Sequence, residues 1–360
     1  METVTRDLPL VGLTMGDVAG IGPELIARAW LDPDFHALAR PIVIGDPEIL
    51  LRALQLVGAA NGVRIQRIKD PRQAEPSRFT IPCLTVLEAG DDLADVRPGM
   101  VDPRAGRASY AFLSEATDLA MAGRLDAIVT LPLNKKALHE AGVEHPGHTE
   151  ILAERCGAPD HAMMLYMETG GPSNPSATGL GVIHVTLHVA LRKVFELLRR
   201  DVIASKIRLA DRSMRPLTDG RKPRIAVTAL NPHAGEDGLF GDEEQTIIRP
   251  AVEDVMAEGI DVHGPFPNDT LFYNAFQGAF DAVVAMYHDQ GHIALKTVGF
   301  QRAVNVTLGL PIVRTSVAHG TAFDIAWQNR ADGSSLIAST RVAGRIARWR
   351  ASHRDRSTVG

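Results

Sequence analysis

Short apolar runs, each followed by a polar or glycine-rich segment, recur along the chain. Such runs predict buried strands, and apolar residues at helical spacing between them predict covering helices. We expect strands at 8–15, 41–45, 127–130, 162–167, 180–187, 224–230 and 282–286. We expect helices at 25–30, 47–57, 108–123, 151–156, 189–202 and 334–352. This alternation predicts an α/β protein with a largely parallel, helix-covered sheet.

The apolar run 282–286 ends abruptly in the polar segment Tyr287-His288-Asp289-Gln290-Gly291, and Lys296 follows a few residues later. Polar groups just past the carboxyl end of a buried strand lie where open α/β sheets bind ligands. His288 suits a metal ion, Asp289 can ligate or accept a proton, and Lys296 offers a cation to an anionic substrate. The alternative is a solvated loop after a strand.

Two further histidines stand at similar places, because His188 and His233 also follow predicted buried strands. Parallel strands deliver their carboxyl ends to one edge of a sheet, so the three imidazoles can converge. Three histidines with an open position describe a catalytic metal site that suits Zn²⁺, Co²⁺, Ni²⁺ or Mn²⁺, and Mg²⁺ less well. A lone strand histidine such as His184 is more often a core residue.

Several other polar residues are candidates for binding. Asn305, Arg314 and Lys296 together suit a phosphate or carboxylate. His148 is a candidate ligand-binding residue, whereas Thr149 beside it suits the N-cap of the following helix. Asp269 lies in the rigid proline-containing segment 264–270.

A glycine-rich turn, Gly16–Glu24, lies between the first predicted strand and the first predicted helix. Its glycines would bring backbone N–H groups close to a ligand at a helix N-terminus. The spacing is not the dinucleotide-binding fingerprint of alternating glycines, so it does not indicate a Rossmann site. A purely structural turn is the alternative.

Composition narrows the class of protein. The 360 residues are 45% hydrophobic and 22% charged, which is typical of a globular protein of one large or two medium domains. The net charge of −5, without a long basic block, argues against nucleic-acid or acidic-membrane partners. The two separated cysteines, Cys83 and Cys156, argue against a disulfide framework. No signal-like or membrane-length apolar segment is visible, so we expect a cytoplasmic protein.

Six motifs resemble the 4-hydroxythreonine-4-phosphate dehydrogenase family of vitamin B6 biosynthesis: 16–24, 147–150, 230–236, 287–291, 305–311 and 314–316. The resemblance implies an isocitrate/isopropylmalate dehydrogenase-like fold, with two α/β/α domains around a cleft and an active site completed by the partner in a homodimer. We place the domains at 1–141 plus 318–360 and at 142–317. The sequence departs from the family pattern at four places. Val18 stands where the family usually has proline, the residues at 292–295 differ from the family's, and 168–179 and 213–222 are apparent insertions.

The resemblance also assigns residues. It implies His188, His233 and His288 as metal ligands. It implies five substrate-binding residues: His148, Thr149, Lys296, Asn305 and Arg314. The segment 319–326 resembles an adenosine-binding loop, so the expected cofactor-binding residues are Gly16, Asp17, Gly20, Gly22, His319, Gly320, Thr321 and Asp324. Catalytic acid–base candidates are Asp269, Asp289 and Lys296.

The implied activity is metal-dependent oxidation of a secondary alcohol by NAD or NADP. The substrate would be a phosphorylated hydroxy acid of the 4-hydroxythreonine 4-phosphate type, giving a 3-keto acid that decarboxylates. Paralogous branches resemble dehydrogenases of 4-phospho-D-threonate and 4-phospho-D-erythronate, or of dihydrodiol dicarboxylates. Outside this class, a metal-dependent hydrolase or aldolase could use the same histidines without a nicotinamide.

Overall fold

The structure, a computed structural model, describes residues 8–74, 83–90, 93–145, 147–158, 161–169 and 179–354. The chain forms two compact units. Unit 1 comprises Met1–His161 and Leu310–Gly360, and unit 2 comprises Ala162–Gly309. Relative to the division expected from the sequence, residues 142–161 and 310–317 group with the first unit. The isocitrate dehydrogenase-like arrangement around a cleft stays a prediction.

The strands lie as follows: β1 (Leu10–Thr14), β2 (Arg40–Gly45), β3 (Arg64–Ile68), β4 (Cys83–Glu88), β5 (Ala127–Thr130), β6 (Ala162–Met167), β7 (Leu180–His184), β8 (Ile225–Thr228), β9 (Val262–Phe266), β10 (Ala282–Ala285), β11 (Val304–Leu308) and β12 (Arg314–Val317). The helices lie as follows: α1 (Gly22–Trp30), α2 (Phe35–Leu38), α3 (Pro47–Leu56), α4 (Pro103–Met121), α5 (Lys135–Glu140), α6 (His148–Arg155), α7 (Leu191–Leu197), α8 (Arg200–Met214), α9 (Arg249–Ala257), α10 (Asn268–Phe276), α11 (His288–Gly299) and α12 (Ser334–Arg354). None of the helices in the described ranges is both long and apolar enough to cross a membrane.

The sheet of unit 1 runs in the order β3-β4-β2-β1-β5-β12, and its neighbouring strands are parallel. Central strands are buried throughout, as in Val11–Thr14 and Ala127–Thr130, because helices cover parallel sheets. Helices α3 and α4 begin where Asp46 and Asp102 accept hydrogen bonds from the backbone of the first turn. The β-then-helix alternation of the sequence thus produces the predicted α/β layers.

The sheet of unit 2 runs in the order β11-β6-β7-β10-β8-β9. Strands β7, β10, β8 and β9 are parallel neighbours, whereas β6 is antiparallel to both β7 and β11. The sheet is therefore mixed rather than uniformly parallel. The carboxyl ends of β7, β8 and β10 still share one edge, so the segments that follow them are brought together.

Several predicted elements differ in the structure. His188 does not end a strand, because β7 ends at His184 and residues 185–190 form a bend-containing connection. The polar segment after β10 is not a loop, because helix α11 starts at His288. The predicted helix at 189–202 is two helices, α7 and α8, separated by two extended residues, Leu198 and Arg199.

Other differences concern the loops. The apparent insertion 213–222 contains the end of α8 and the following turn, in which Met214, Pro216 and Leu217 are buried. Asp269 lies in the first turn of α10 rather than in a loop. Most of the other apparent insertion, 168–179, lies outside the described residues.

A buried carboxylate holds the amino end of β10 in unit 2. Asp281 is 3% exposed and accepts hydrogen bonds from both guanidinium groups of Arg221 and Arg224, and from the Arg224 backbone N–H. Burial raises the pKa of Asp281, but the bonds from the two arginines prevail and lower it to about 2. The ionised carboxylate therefore stabilises the folded state.

Asp281→Ala is expected to lower the free energy of unfolding by about 2–4 kcal/mol, because it removes a buried charge-assisted network. The folded pKa of Asp281 lies below the unfolded value of 3.8. Its contribution is therefore complete above about pH 4 and is lost as the pH falls through about 2. Urea unfolding measures both effects.

The control is Asp201→Ala, which removes an exposed ion pair with Arg199 and should leave the midpoint of urea unfolding nearly unchanged. Equal effects of the two variants would contradict the stabilising role of Asp281.

Candidate functional site

Four histidines meet at the sheet edge of unit 2. The ring centroids of His288 and His292 are 3.8 Å apart and their planes differ by 12°, so the two rings stack. His184 lies 4.7 Å from His292 and 6.1 Å from His288, and His188 lies 5.8 Å from His288. The structure thus brings the predicted ligands His188 and His288 together, and adds two histidines that the sequence did not assign to the site.

Helix α11 places this cluster. His288, His292 and Lys296 follow one another at four-residue spacing, which puts them on one face of the helix. Gln290 in the first turn is buried, and its side-chain oxygen accepts from the Met286 N–H at 2.7 Å and the Thr228 hydroxyl at 2.8 Å. Its amide donates to the Ala229 carbonyl at 2.7 Å. These bonds fasten the start of α11 to the ends of β8 and β10.

Burial keeps two of the imidazoles neutral. Burial and the neighbouring His292 lower the pKa of His184 to about 3, and the Nε2 of His184 lies 3.1 Å from the Nδ1 of His292. Burial, His288 and Lys296 lower the pKa of His292 to about 4. Burial also lowers the pKa of Lys296. Both histidines are therefore uncharged at neutral pH, and Lys296 releases its proton more readily than an exposed lysine.

His288 is oriented by its neighbour in the sequence. Its Nδ1 lies 2.7 Å from the Asp289 carboxylate. Because a carboxylate only accepts, Nδ1 carries the hydrogen, and in the neutral ring Nε2 is then the nitrogen with the lone pair. This is the arrangement that fixes the tautomer of metal-binding histidines. A cavity of about 350 Å³ opens beside it in unit 2, lined by Leu187, His188, Val189, Leu191, Val194, Tyr287, His288 and Asp289.

The third predicted ligand, His233, is not among these four histidines. It follows β8 in an exposed turn, and its ring packs 6.1 Å from that of Phe240. Imidazole donors suit the borderline divalent ions, so the residue chemistry fits a metal site. Within the described ranges, however, no group of three or more His, Cys, Asp or Glu residues is arranged to hold a metal ion. The ligand set of His188, His233 and His288 therefore stays a prediction.

A buried cation forms a second feature, in unit 1. Arg314 opens β12, is 2% exposed, and donates from Nε and Nη2 to the hydroxyl of Thr130 at 3.1 and 2.7 Å. Burial lowers the pKa of Arg314 to about 10, although Glu150 opposes the shift. The side chain remains a cation at neutral pH, in surroundings where a cation favours an anionic partner.

His148 belongs to the same part of unit 1. Its Nε2 donates to the Leu131 carbonyl at 3.1 Å, which leaves Nδ1 as an acceptor. Burial and the Arg314 charge lower the pKa of His148 to about 3, so the ring is neutral. His148 is the first residue of α6, and the N-cap is Gly147. The predicted capping role of Thr149 is therefore wrong, because the helix begins earlier than the apolar pattern indicated.

Two more predicted site residues lie in unit 2. The Asn305 side-chain oxygen, on β11, is buried without a hydrogen-bond partner, as an acceptor awaiting a ligand would be. Asp269 is exposed and accepts from the Thr270 N–H at 2.9 Å. Lys296 packs 5.3 Å from the ring of Phe300. Of the three acid–base candidates, Asp289 and Lys296 lie on the same helix as His288.

The glycine-rich turn of unit 1 is packed against the protein's own backbone. Gly16 has a φ of +71°, and a Cβ there would lie 2.4 Å from the Pro132 carbonyl. The N–H groups of Asp17, Ala19, Gly20 and Ile21 are all bonded within the protein. These four N–H groups are therefore not available to a ligand in this structure. Its glycines are explained by close packing, and their cofactor-binding role stays a prediction.

The adenosine-loop-like segment adjoins this turn. Thr321 accepts the Ile21 N–H through its carbonyl, and Trp327 donates from Nε1 to the Val18 carbonyl. His319 lies 2.9 Å from the Ser335 hydroxyl, while Gly320 and Asp324 are exposed. Asp17 itself is fully buried, and burial raises its pKa to about 6. Of the expected cofactor residues, the structure thus brings Gly20 next to Thr321 within unit 1, and Gly22 begins α1.

Comparison with known proteins decides the family. The family model of the pyridoxal phosphate biosynthetic protein PdxA matches residues 37–343. The chain belongs to the PdxA family. It is 44% identical to the D-threonate 4-phosphate dehydrogenase of Pectobacterium atrosepticum, over 94% of this chain and 99% of that one. It is also 44% identical to the 4-hydroxythreonine-4-phosphate dehydrogenase of Desulforapulum autotrophicum, over 94% and 96%.

A solved PdxA-family structure agrees with this placement. The crystal structure of 4-hydroxythreonine-4-phosphate dehydrogenase from Klebsiella pneumoniae superposes with a TM-score of 0.80 at 43% identity, covering 94% of this chain and 99% of that one. The resemblance found in the sequence motifs is therefore confirmed. The α/β class is confirmed as well.

The Thr130→Val variant tests whether Arg314 binds an anionic substrate group with the help of Thr130. Losing the hydroxyl that receives two Arg314 bonds should raise KM for a phosphorylated substrate about tenfold, because a hydrogen bond to a charged group contributes about 1.5–3 kcal/mol. Steady-state kinetics measures the change. Thr117→Val is the matched control, because Thr117 is also buried and bonds only within α4, to the Leu113 carbonyl. An unchanged KM in Thr130→Val would remove Thr130 from the site.

Proposed function

We propose that the protein is a dehydrogenase that oxidises the secondary alcohol of a phosphorylated hydroxy acid. The observation that carries the proposal is the buried Arg314 guanidinium, fixed by Thr130 and next to the neutral His148. A planar guanidinium binds phosphate through paired hydrogen bonds. Two PdxA-family relatives are named as dehydrogenases of a phosphorylated compound. These names support both the dehydrogenase activity and the phosphorylated substrate that we propose.

In this proposal, different polar side chains of the protein bind different groups of the substrate. Arg314 binds the phosphate, and the free Nδ1 of His148 accepts a hydrogen bond from a substrate hydroxyl or amino group. Thr149 supplies a further polar contact in unit 1, and the substrate-binding role of Asn305, whose buried side-chain oxygen has no hydrogen-bond partner, stays a prediction. Binding the substrate at fixed points places the reacting carbon and so lowers the entropic part of the barrier.

We infer that His188 and His288 of the histidine cluster bind a divalent ion, with His233 as the third ligand. The chemistry such an ion supplies when bound is a lower alcohol pKa and charge stabilisation at the oxygen. Asp289 holds the His288 ring so that Nε2 is the donor atom. Zn²⁺, Co²⁺, Ni²⁺ and Mn²⁺ match imidazole donors better than Mg²⁺ does.

Lys296 is the acid–base group that we propose for the reaction. Its Nζ has a pKa lowered by burial, which brings proton transfer closer to neutral pH. Removing the alcohol proton lets hydride leave for NAD or NADP, which acts as the acceptor. The product is a 3-keto acid, and its loss of carbon dioxide leaves an enol carbon that Lys296 can protonate. Asp269, which is exposed on α10, is the weaker candidate for this role.

The test is formation of reduced nicotinamide, followed by absorbance, with a divalent ion and a panel of substrates. The panel is 4-hydroxythreonine 4-phosphate, D-threonate 4-phosphate, D-erythronate 4-phosphate and an unphosphorylated dihydrodiol dicarboxylate. Turnover of a phosphorylated member supports the proposal and names the branch. Turnover of the dicarboxylate alone would mean that Arg314 recognises a carboxylate. Failure to bind NAD or NADP in a fluorescence titration would favour a metal-dependent hydrolase or aldolase.

We also propose that two chains associate through unit 2. Most large hydrophobic residues that are exposed in the described ranges lie in this unit: Val189, Leu191, Phe195, Leu197, Leu239, Phe240, Met256, Tyr273, Ile293, Val298 and Phe300. Exposed apolar residues grouped on one part of a protein mark association surfaces. Two of them, Val189 and Leu191, line the cavity beside His288, so a partner there would also enclose the site.

Phe195→Glu is expected to convert a dimer into a monomer, because it places a charge among the exposed apolar residues of α7. Light scattering should give the mass of two 38.8-kDa chains for the parent protein and of one chain for the variant. Leu51→Glu, which also places a charge at an exposed apolar residue but in unit 1, is the control and should remain dimeric. A monomeric parent protein would contradict the proposal.

A further inference from the structure

The turn that carries His233 has an unfavourable backbone conformation. Residues Pro232–Gly238 form it, and the φ angles from His233 to Asp237 are +53°, +55°, +80°, +41° and +53°. Four of these five residues are not glycine, and residues that have a Cβ rarely adopt positive φ angles. A run of this kind persists only where the surrounding structure holds it, and such runs occur at functional sites.

One buried carboxylate holds the beginning of this turn. Glu244 is 1% exposed, and its Oε1 accepts from the backbone N–H groups of Leu230 and Asn231, both at 2.7 Å. Its Oε2 accepts from the Asn231 side-chain amide at 3.0 Å. Bonds from N–H groups to a carboxylate are stronger than neutral ones, and here they involve the two residues that connect β8 to the turn.

The middle of the turn also packs on Glu244. A Cβ added at Gly235 would lie 2.7 Å from the Glu244 Oε2, so only glycine fits there. Glu244 opens a single turn of π-helix, Glu244–Ile248, before α9. Such π-turns are frequent at functional sites, because the extra residue redirects a side chain. The carboxylate is therefore enclosed by the turn that it bonds.

We infer that Glu244 is a positioning residue, whose buried carboxylate fixes the left-handed turn and thereby the location of His233 in the proposed metal site. The inference rests on the proposed function only for the role of His233. The carboxylate does not touch the substrate or the ion in this account. It acts by restricting the conformations of the backbone between β8 and His233.

Hydrogen exchange of the full-length protein, without added metal, tests the first half of the inference. Glu244→Ala should speed exchange of the Leu230 and Asn231 amides about tenfold or more, because both lose their acceptor. Glu244→Gln should cause a smaller rise, since its oxygen can still accept while its new amide faces the Asn231 amide. Glu253→Gln, an exposed change on α9, is the matched control and should match the parent protein. Exchange in β1 reports whether a variant is folded.

A Co²⁺ titration by calorimetry tests the second half. Glu244→Gln should weaken Co²⁺ binding about 10–100-fold, as changes in groups that orient ligands do. If Glu244 acts through His233, the double variant Glu244→Gln/His233→Ala should bind no more weakly than His233→Ala alone. Additive losses in the double variant would overturn the inference.

The experiments distinguish failure of the proposed metal site from failure of the role inferred for Glu244. If the parent protein binds no Co²⁺, the proposed metal site fails, while the exchange experiment still decides whether Glu244 holds the turn. If exchange of the Leu230 and Asn231 amides is the same in Glu244→Gln, Glu244→Ala and the parent protein, the inference is overturned whatever the metal affinity.

Discussion

Replacing Arg314 with methionine is expected to lower kcat/KM for a phosphorylated substrate about 10²–10³-fold. The reason is that truncating one partner of a buried charge pair costs about 2–5 kcal/mol of binding free energy. Most of the loss should be in KM. Stability should not fall, because an apolar side chain of similar length replaces a buried cation whose pKa is already lowered by desolvation.

Steady-state kinetics and urea unfolding on the same preparations separate binding from stability. Arg314→Lys should recover part of the affinity, since it keeps the charge but loses the planar fork that donates to Thr130. Arg107→Met, an exposed change on α4, is the control. An Arg314→Met variant with parental kinetics on phosphorylated substrates would remove Arg314 from the anion site and, with it, the main support for a phosphorylated substrate.

Removing the His288 imidazole is expected to have the other large effect. His288→Ala should reduce kcat about 10³-fold or more, because the ring links His188, His292 and Asp289 and is a proposed ligand. Co²⁺ affinity measured by calorimetry should fall in parallel. His263→Ala serves as the control, since His263 is exposed on β9 and bonded to Asp261. If His288→Ala retained activity within a few-fold, the histidine cluster would not serve the reaction.

Much of the fold follows from apolar runs in the sequence. Strands β1, β2, β5 and β6 were predicted nearly to their ends, because a strand covered on both faces is apolar throughout. Strand β3 was missed, since it lies at one end of the strand order and carries exposed residues such as Arg64 and Arg67.

Strand β9 was missed for a related reason. It lies at one end of the strand order of unit 2. Its residues include His263 and Pro265, so they do not form an apolar run. The antiparallel placement of β6 was also not predictable, because strand direction depends on distant pairing partners rather than on the strand's own residues.

The site was predictable only in part. His288 was identified because it follows an apolar run, whereas Arg314 and His148 were identified because they lie in motifs that resemble the family. His184 and His292 were assigned to no role, since a lone buried histidine is ordinary until its neighbours are known. The two-residue periodicity of 184, 186 and 188 and the second histidine in 288–292 were the available signals.

Several contacts that hold the site residues in place had no signal in the sequence. Thr130 and Arg314 are 184 residues apart, and Gln290 bonds Thr228 across 62 residues. Glu244 lies among several acidic residues, and only its burial singles it out. Such contacts depend on the order of strands in the sheet, which the local pattern does not specify.

The most direct test of the account is one kinetic comparison on the parent protein. Reduction of NAD or NADP would be followed by absorbance with D-threonate 4-phosphate and with 4-hydroxythreonine 4-phosphate, each beside its dephosphorylated form. The protein would be assayed before chelation, after chelation, and after Co²⁺ is restored. The account predicts turnover of a phosphorylated form alone, lost on chelation and recovered with the ion. Equal turnover of the dephosphorylated form, or turnover unaffected by chelation, would contradict it.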